Sequence, residues 1–151
     1  MSSQTERQRA QAQAARPPRH LALALAWGVL VGVIQAVSPL GFWWLPATTV
    51  YAFELAIIAA VYVGFGVADG RPKVIAVESV IAAMFAVVAA SAVTTSAWLL
   101  VAGFIGHGAK DLWQHRTQYV ANTRWWPPFC VAVDVVVALA LAVVLLANAQ
   151  R

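Results

Sequence analysis

The chain has 151 residues, of which 62% are hydrophobic and 11% are charged, with a formal net charge of +4 and a mean hydropathy of +0.74. Soluble domains usually carry about twice that share of charged residues. The composition therefore excludes an ordinary soluble domain and predicts an all-α, polytopic membrane helix bundle. The single cysteine, Cys130, also excludes a disulfide within one chain.

Residues 1–19 form a polar segment rich in Arg, Gln and Ala, with Pro17 and Pro18 near its end. Such a segment cannot bury enough apolar surface to fold, so we predict a disordered basic cytoplasmic tail. The apolar run that follows is too long for a signal peptide and lacks a convincing small-x-small cleavage site. Residues 20–151 are therefore predicted to form one transmembrane domain.

Five apolar runs follow the tail, each close to the roughly 20 residues that a helix needs to cross about 30 Å of hydrocarbon. Strands are excluded because the runs are continuous rather than alternating, and a five-stranded barrel would leave an open edge. The predicted spans are 21–37, 47–67, 74–93, 95–113 and 126–147.

Basic and uncharged connections alternate along the chain. The tail contains four arginines, the second connection contains Arg71 and Lys73, and the fourth region contains Lys110, Arg116 and Arg124. The connections SPLGFWWLP and SAVTTS contain no charge. Because basic loops stay in the cytoplasm, the N-terminus is predicted to be cytoplasmic and the C-terminus outside. The abundance of Ala and Val indicates a bacterial source, and hence a multi-pass protein of the cell inner membrane.

Four of the six acidic residues lie inside predicted spans, together with one histidine. A charge in hydrocarbon costs from about 3 to more than about 10 kcal/mol by different estimates, so these side chains should face the bundle interior and have partners. Buried carboxylic acids and histidine can exchange protons near neutral pH. We predict a cation- or proton-binding site with His107 and Asp111 as its central pair, Glu78 and Asp134 as flanking carboxylates, and Glu54 as an outer relay.

His107, Asp111 and His115 follow one another at steps of four residues, which places them on one helix face. Imidazole and carboxylate one turn apart can share a metal ion, so these three are the metal candidates. The two histidines lie about 12 Å apart along the axis, so one ion could use only an adjacent pair plus ligands from other helices. The alternative is that these groups only bond to neighbouring helices. The sequence does not identify a cofactor.

Other features indicate packing and partners. Gly28 and Gly32 form a G-x-x-x-G motif that predicts close helix packing within the chain. The basic tail and inner loops predict contact with anionic lipid headgroups of the bilayer. Arg124 sets topology, pairs with Asp111 or Asp134, or binds a lipid phosphate. No nucleic-acid motif is present. Five short helices enclose little volume, so we expect a homo-oligomer or a membrane partner subunit.

The last third of the chain contains two spaced motifs, His-x3-Asp-x3-His and Pro-x2-Cys-x3-Asp. Their residues are His107, Asp111, His115, Pro127, Cys130 and Asp134. The pair of motifs resembles a family of small, uncharacterised bacterial integral membrane proteins. The resemblance implies a membrane protein with these turns in its last two spans, and it implies no activity or substrate.

The leading functional hypothesis is an inner-membrane protein with a buried, cytoplasm-facing polar site. This site binds or relays a small cation, and a proton is the first candidate. One alternative is a membrane-embedded enzyme acting on a lipid or isoprenoid, with His107 and Asp111 as its acid–base pair. A second is a non-catalytic accessory or scaffold subunit whose polar residues only hold helices together. The sequence leaves open whether the protein is an enzyme.

Overall fold

The computed structural model describes residues 19–121 and 123–150, which form five α-helices and one short 3₁₀ turn, with no strand in these ranges. The predicted all-helical class is therefore confirmed. Apart from Arg19, the predicted tail lies outside the described residues. The helices are α1 (Arg19–Val37), α2 (Ala47–Asp69), α3 (Pro72–Thr94), α4 (Trp98–Thr117) and α5 (Trp126–Ala149).

The helix ends follow local sequence signals. α2 ends at Gly70, which adopts the left-handed conformation with φ of 79° and donates its N–H to the carbonyls of Gly66 and Val67. Prolines lie in the first turns of α3 and α5, where a missing N–H removes no helical hydrogen bond. Each of these ends lies within a few residues of the predicted boundary.

The fourth helix differs most from its prediction. It was expected over 95–113 and instead spans Trp98–Thr117. Its start is delayed because Thr95 still belongs to the end of α3, donating both its N–H and its hydroxyl to the carbonyl of Ser91. Its end lies about one turn later than predicted, because the prediction followed the apolar run alone and the last helical turn contains the polar residues His115 and Arg116.

α1 packs alongside α5 through the two predicted small residues. A Cβ at Gly28 would lie 2.7 Å from the Cβ of Ala132 and closer still to the carbonyl oxygen of Phe129. A Cβ at Gly32 would lie 2.9 Å from the Cβ of Val136. The expected role of the G-x-x-x-G motif in packing within the chain is therefore confirmed.

The fourth helix lies against three neighbours: α5, α3 and α2. Its contact with α2 includes Gly103, where a Cβ would lie 2.5 Å from Cδ2 of Leu55. The Leu55 side chain therefore fills the space beside this glycine. The surrounding core is apolar and includes Leu100, Phe104 and Val137, all fully buried.

Basic side chains gather at one end of the bundle, here called the basic end, which contains Arg19, Arg71, Lys73, Arg116 and Arg124. Arg71 forms an ion pair of 2.5 Å with Asp69 and donates to the carbonyl oxygen of Tyr119 at 2.7 Å. Asp69 also accepts the N–H of Ala121 at 2.8 Å. These bonds join the α2–α3 turn to the α4–α5 loop. The opposite connections, 38–46 and 95–97, contain no Lys or Arg.

Large apolar side chains cover the outside of the bundle, for example Ile34, Met84, Leu139 and Val143, each at least half exposed. Four helices are long and apolar enough to cross a membrane, namely α1, α2, α3 and α5. α4 is not among them, since it contains the polar residues of the candidate site. The structure thus supports a membrane protein with four such helices, whereas the fifth span is not confirmed.

The α1–α5 contact gives a first prediction. Gly28→Ala should lower the free energy of unfolding by about 1–3 kcal/mol, because the added methyl group collides with α5. Gly64→Ala is the matched control, since a Cβ there meets nothing within 4 Å. Thermal unfolding of both variants in the same mild detergent measures the difference. Equal melting temperatures for the two variants would contradict the described packing.

Candidate functional site

The centre of the bundle contains a cluster of three fully buried titratable side chains, His107, Asp111 and Asp134, here called the buried cluster. Nδ1 of His107 lies 2.9 Å from Oδ2 of Asp134 and 3.3 Å from Oδ2 of Asp111. The direction of the hydrogen bond between Nδ1 and Asp134 depends on the tautomer of the imidazole: Nδ1 donates when it carries the hydrogen and the carboxylate is ionised. The imidazole is thus held between two carboxylates.

Two features of the sequence position these groups. The four-residue step from His107 to Asp111 places both on the inner face of α4, as predicted. Gly108, next to His107 on α4, allows α5 to approach, since a Cβ at Gly108 would lie 3.4 Å from the Cβ of Asp134. The predicted central pair and one predicted flanking carboxylate therefore meet.

Aromatic side chains enclose the imidazole. The ring of Phe85 on α3 meets that of His107 edge to face, with centroids 5.1 Å apart. The ring of Tyr62 on α2 lies 6.0 Å from the imidazole, also between centroids. Four helices therefore contribute to the walls of the cluster, which lowers the local dielectric constant and strengthens the interactions inside it.

A second buried pair lies next to the cluster. Nζ of Lys110 lies 2.8 Å from Oε2 of Glu78 and 3.0 Å from the centroid of the Tyr62 ring, a cation–π contact. Glu78, predicted as a flanking carboxylate, is fully buried but is engaged by this lysine. Our assignment of Lys110 to the topology-setting loop charges was wrong, because it points into the bundle. Its position beside Asp111, on the inner half of a polar helix, was the signal that we missed.

Several polar atoms around the cluster have no hydrogen-bond partner among the described residues. They include Nε2 of His107, Oδ1 of Asp111 and of Asp134, the Tyr62 hydroxyl and both amide atoms of Gln114. Buried polar atoms in proteins are normally paired, so this group can take a further ligand or water molecules. Cys130 is buried beside the same carboxylates. The cluster therefore offers several unpaired donor and acceptor atoms at buried positions.

Glu54 lies apart from the cluster. Its carboxylate accepts the Ser38 hydroxyl at 2.6 Å, near the end of the bundle opposite the basic end. Along α2 it is eight residues from Tyr62, a separation of about 12 Å. Tyr51, about one turn before Glu54 on α2, donates its hydroxyl to the carbonyl oxygen of Ala36 at 2.7 Å and not to Glu54. The structure therefore does not bring Glu54 to the predicted site.

His115 is also outside the buried cluster. It is half-buried at the basic end, where it lines a surface cavity with His20 and Arg124. Of the three predicted metal candidates, His107 and Asp111 lie in the cluster and His115 does not. The third member of the cluster is Asp134. Helix rotation explains the difference, because two successive four-residue steps turn His115 by about 80° away from His107.

Comparison of the chain with protein-family models, with curated proteins and with solved structures finds no match. The candidate site is therefore interpreted from its own geometry.

The Lys110–Glu78 pair gives a second prediction. Lys110→Met should lower the free energy of unfolding by about 3–5 kcal/mol, because it leaves Glu78 buried without a counter-charge. The double variant Lys110→Met/Glu78→Gln should recover most of that loss, because no uncompensated charge remains. Chemical unfolding in detergent micelles, analysed as a double-mutant cycle, measures the coupling. Additive effects of the two single changes would show that the pair does not form.

Proposed function

We propose that the protein is a five-span protein of the bacterial inner membrane, with its N-terminus in the cytoplasm and its C-terminus outside. Besides the four apolar helices, the outer face of α4 supports this proposal. That face is apolar, with Ala102, Ile105, Ala109 and Leu112 exposed at helical spacing, whereas the polar side chains of its middle turns point inward. A helix with this arrangement is compatible with lipid outside and a polar interior. The charged basic end would then be cytoplasmic.

This topology gives a third prediction. Alkaline phosphatase fused after Arg151 should be active in a bacterial host, because the enzyme folds only outside the cytoplasm, where its disulfides form. The same reporter inserted after Ala121, in the α4–α5 loop, should be inactive. A green fluorescent protein at each position serves as the reciprocal control. Phosphatase activity at Ala121 and fluorescence at the C-terminus would invert the proposed orientation.

We propose that the buried cluster binds a small cation, with a proton as the first candidate. The observation that carries this proposal is one imidazole nitrogen and two carboxylate oxygens within 4.8 Å of one another at fully buried positions. With both carboxylates ionised and the imidazole protonated, the cluster has a net charge of −1, which is costly in a dry interior. Uptake of one proton by a carboxylate neutralises it. The neighbouring Lys110–Glu78 ion pair has no net charge, so it does not change the net charge of the buried cluster.

The surroundings favour access from the basic end. On that side, Gln114 follows Asp111 by one turn of α4, is fully buried, and offers an unpartnered amide. On the opposite side, Phe104 and Leu100 on α4 and Val137 on α5 form a fully buried apolar layer. This layer separates the cluster from Glu54. The proposed function is therefore cation binding from the cytoplasmic side, and among the described residues this apolar layer lies between the cluster and Glu54, the outer relay that we first expected.

A divalent metal ion is the second candidate. With a neutral imidazole, the cluster carries a net charge of −2, which a divalent ion would neutralise. Two ligands on a tetrahedral zinc ion at about 2.1 Å stand roughly 3.4 Å apart, close to the 3.3 Å between His107 Nδ1 and Asp111 Oδ2. The third ligand atom of this set is a carboxylate oxygen of Asp134, and the three ligand atoms lie within 4.8 Å of one another. The donor set fits a metal such as zinc.

The closed geometry favours a small cation over a lipid substrate. Every side chain of the buried cluster has a relative exposure of 0%. A lipid or isoprenoid substrate could reach His107 only if helices separated, whereas a proton needs no such opening. The accessory or scaffold alternative would leave the unpartnered atoms of the cluster without a role.

The fourth prediction tests the site with Asp134→Asn and its matched control Glu54→Gln, which alters an intramembrane acid outside the cluster. In wild-type protein in lipid nanodiscs, pH-difference infrared spectra should show a carboxylic-acid carbonyl band. Asp134→Asn should change or remove this band, whereas Glu54→Gln should leave it in place. Elemental analysis of the same samples measures zinc. If the wild-type protein contains stoichiometric zinc and Asp134→Asn abolishes it, the cation bound by the cluster is zinc and not a proton.

A functional measurement complements the spectra. If the site supports proton movement, His107→Ala should reduce pH-driven flux in liposomes, whereas unchanged flux would exclude a relay. An absence of both cluster-dependent protonation and bound metal would contradict the proposed function and favour the scaffold alternative.

A further inference from the structure

A polar surface cavity of about 530 Å³ opens at the basic end, between α1, α4 and the α4–α5 loop. Its walls contain His20 at the start of α1, His115 near the end of α4, and Arg124 of the loop. Gln118 and Ala121 complete the lining, so the residues that the structure describes give the cavity one arginine, two imidazoles and an amide, and no carboxylate. These side chains are hydrogen-bond donors, which suits an anion. Nδ1 of His115 is buried and has no partner among the described residues.

Two apolar grooves continue from this polar cavity. One, of about 430 Å³, shares His20 with it and extends between α1 and α5 along Leu23, Trp27, Trp125 and Phe129. The other shares His115 and is lined by aliphatic side chains of α1, α4 and α5, among them Leu25, Leu112 and Val131. The molecule therefore presents one polar cavity with apolar surface leading away from it on both sides of α1.

We propose that this composite site binds an anionic phospholipid, with its phosphate in the polar cavity and an acyl chain in the Trp27 groove. The planar guanidinium of Arg124 matches two phosphate oxygens, and the imidazoles of His20 and His115 can donate to the others. Tryptophan side chains beside the groove suit the level of the lipid headgroups. The proposal rests on the membrane location proposed above and is independent of cation binding by the buried cluster.

Charge complementarity favours an anionic lipid over two other occupants, the chain's own N-terminal segment and a second copy of the chain. The chain's own residues 1–18 contain three arginines and one glutamate, so they do not complement a cavity lined by Arg124. A second copy would bring the same basic end toward it, with like charges facing each other. A soluble phosphate would use the polar cavity but would leave both grooves unused. An anionic lipid alone satisfies the charge and the apolar surface together.

The fifth prediction tests the headgroup contact on the full chain purified in neutral detergent. Native mass spectrometry with added phosphatidylglycerol should show one tightly retained lipid, and phosphatidylcholine should bind more weakly. Arg124→Gln should weaken phosphatidylglycerol binding by about tenfold, because it removes a charge-assisted contact. Arg116→Gln is the matched control, since this exposed arginine lies next to His115 without lining the cavity. It should leave binding unchanged.

The acyl-chain contact is tested in the same assay. Trp27→Ala should weaken binding of the long-chain lipid, whereas Trp113→Ala, an exposed tryptophan outside the groove, should not. Equal losses in Arg124→Gln and Arg116→Gln would show diffuse surface charge and overturn the proposal. Glycerol 3-phosphate binding as tightly as the lipid would assign the cavity to a soluble phosphate. Failure of the wild-type chain to retain phosphatidylglycerol would overturn the proposal. Binding by the buried cluster is measured separately, so either proposal can fail alone.

Discussion

The imidazole of His107 between the carboxylates of Asp111 and Asp134 is the interaction on which the rest of the structure depends. Three fully buried titratable groups of opposite charge would each be costly alone in an apolar bundle. They are tolerated because the imidazole lies within hydrogen-bond distance of Asp134, at 2.9 Å, and within ion-pair distance of Asp111, at 3.3 Å. α4 must therefore lie against α5 at one rotation, since a turned helix would expose these groups to lipid.

Small residues make that arrangement possible. Gly108 lets the backbone of α4 approach the Asp134 side chain, and Gly103 lets it approach Leu55 of α2. On the far side of α5, Gly28 and Gly32 bring α1 into contact. Polar pairing and close packing thus reinforce each other, because short interhelical distances are needed for both hydrogen bonds and dispersion contacts.

The two proposed sites differ in size, exposure and charge. The buried cluster is small, closed and acidic, which suits a proton or a compact metal ion. The basic end is open, basic and bordered by one aromatic and one aliphatic groove, which suits a lipid. α4 contributes to both, with His107 of the buried cluster in its middle and His115 of the basic end in its last turn. A lipid at the basic end would therefore lie on the side from which we propose that cations reach the cluster.

The sequence by itself determined the helices and which residues share a helix face. The apolar runs, Gly70, Pro72 and the prolines of α5 delimit the helices, and the four-residue step pairs His107 with Asp111. These features depend on local periodicity and backbone geometry. The packing of one helix on another decided the rest: it brought Asp134 to His107, turned Lys110 toward Glu78, and left Glu54 and His115 outside. Those outcomes depend on helix rotation and on contacts between residues far apart in the chain, which no local pattern encodes.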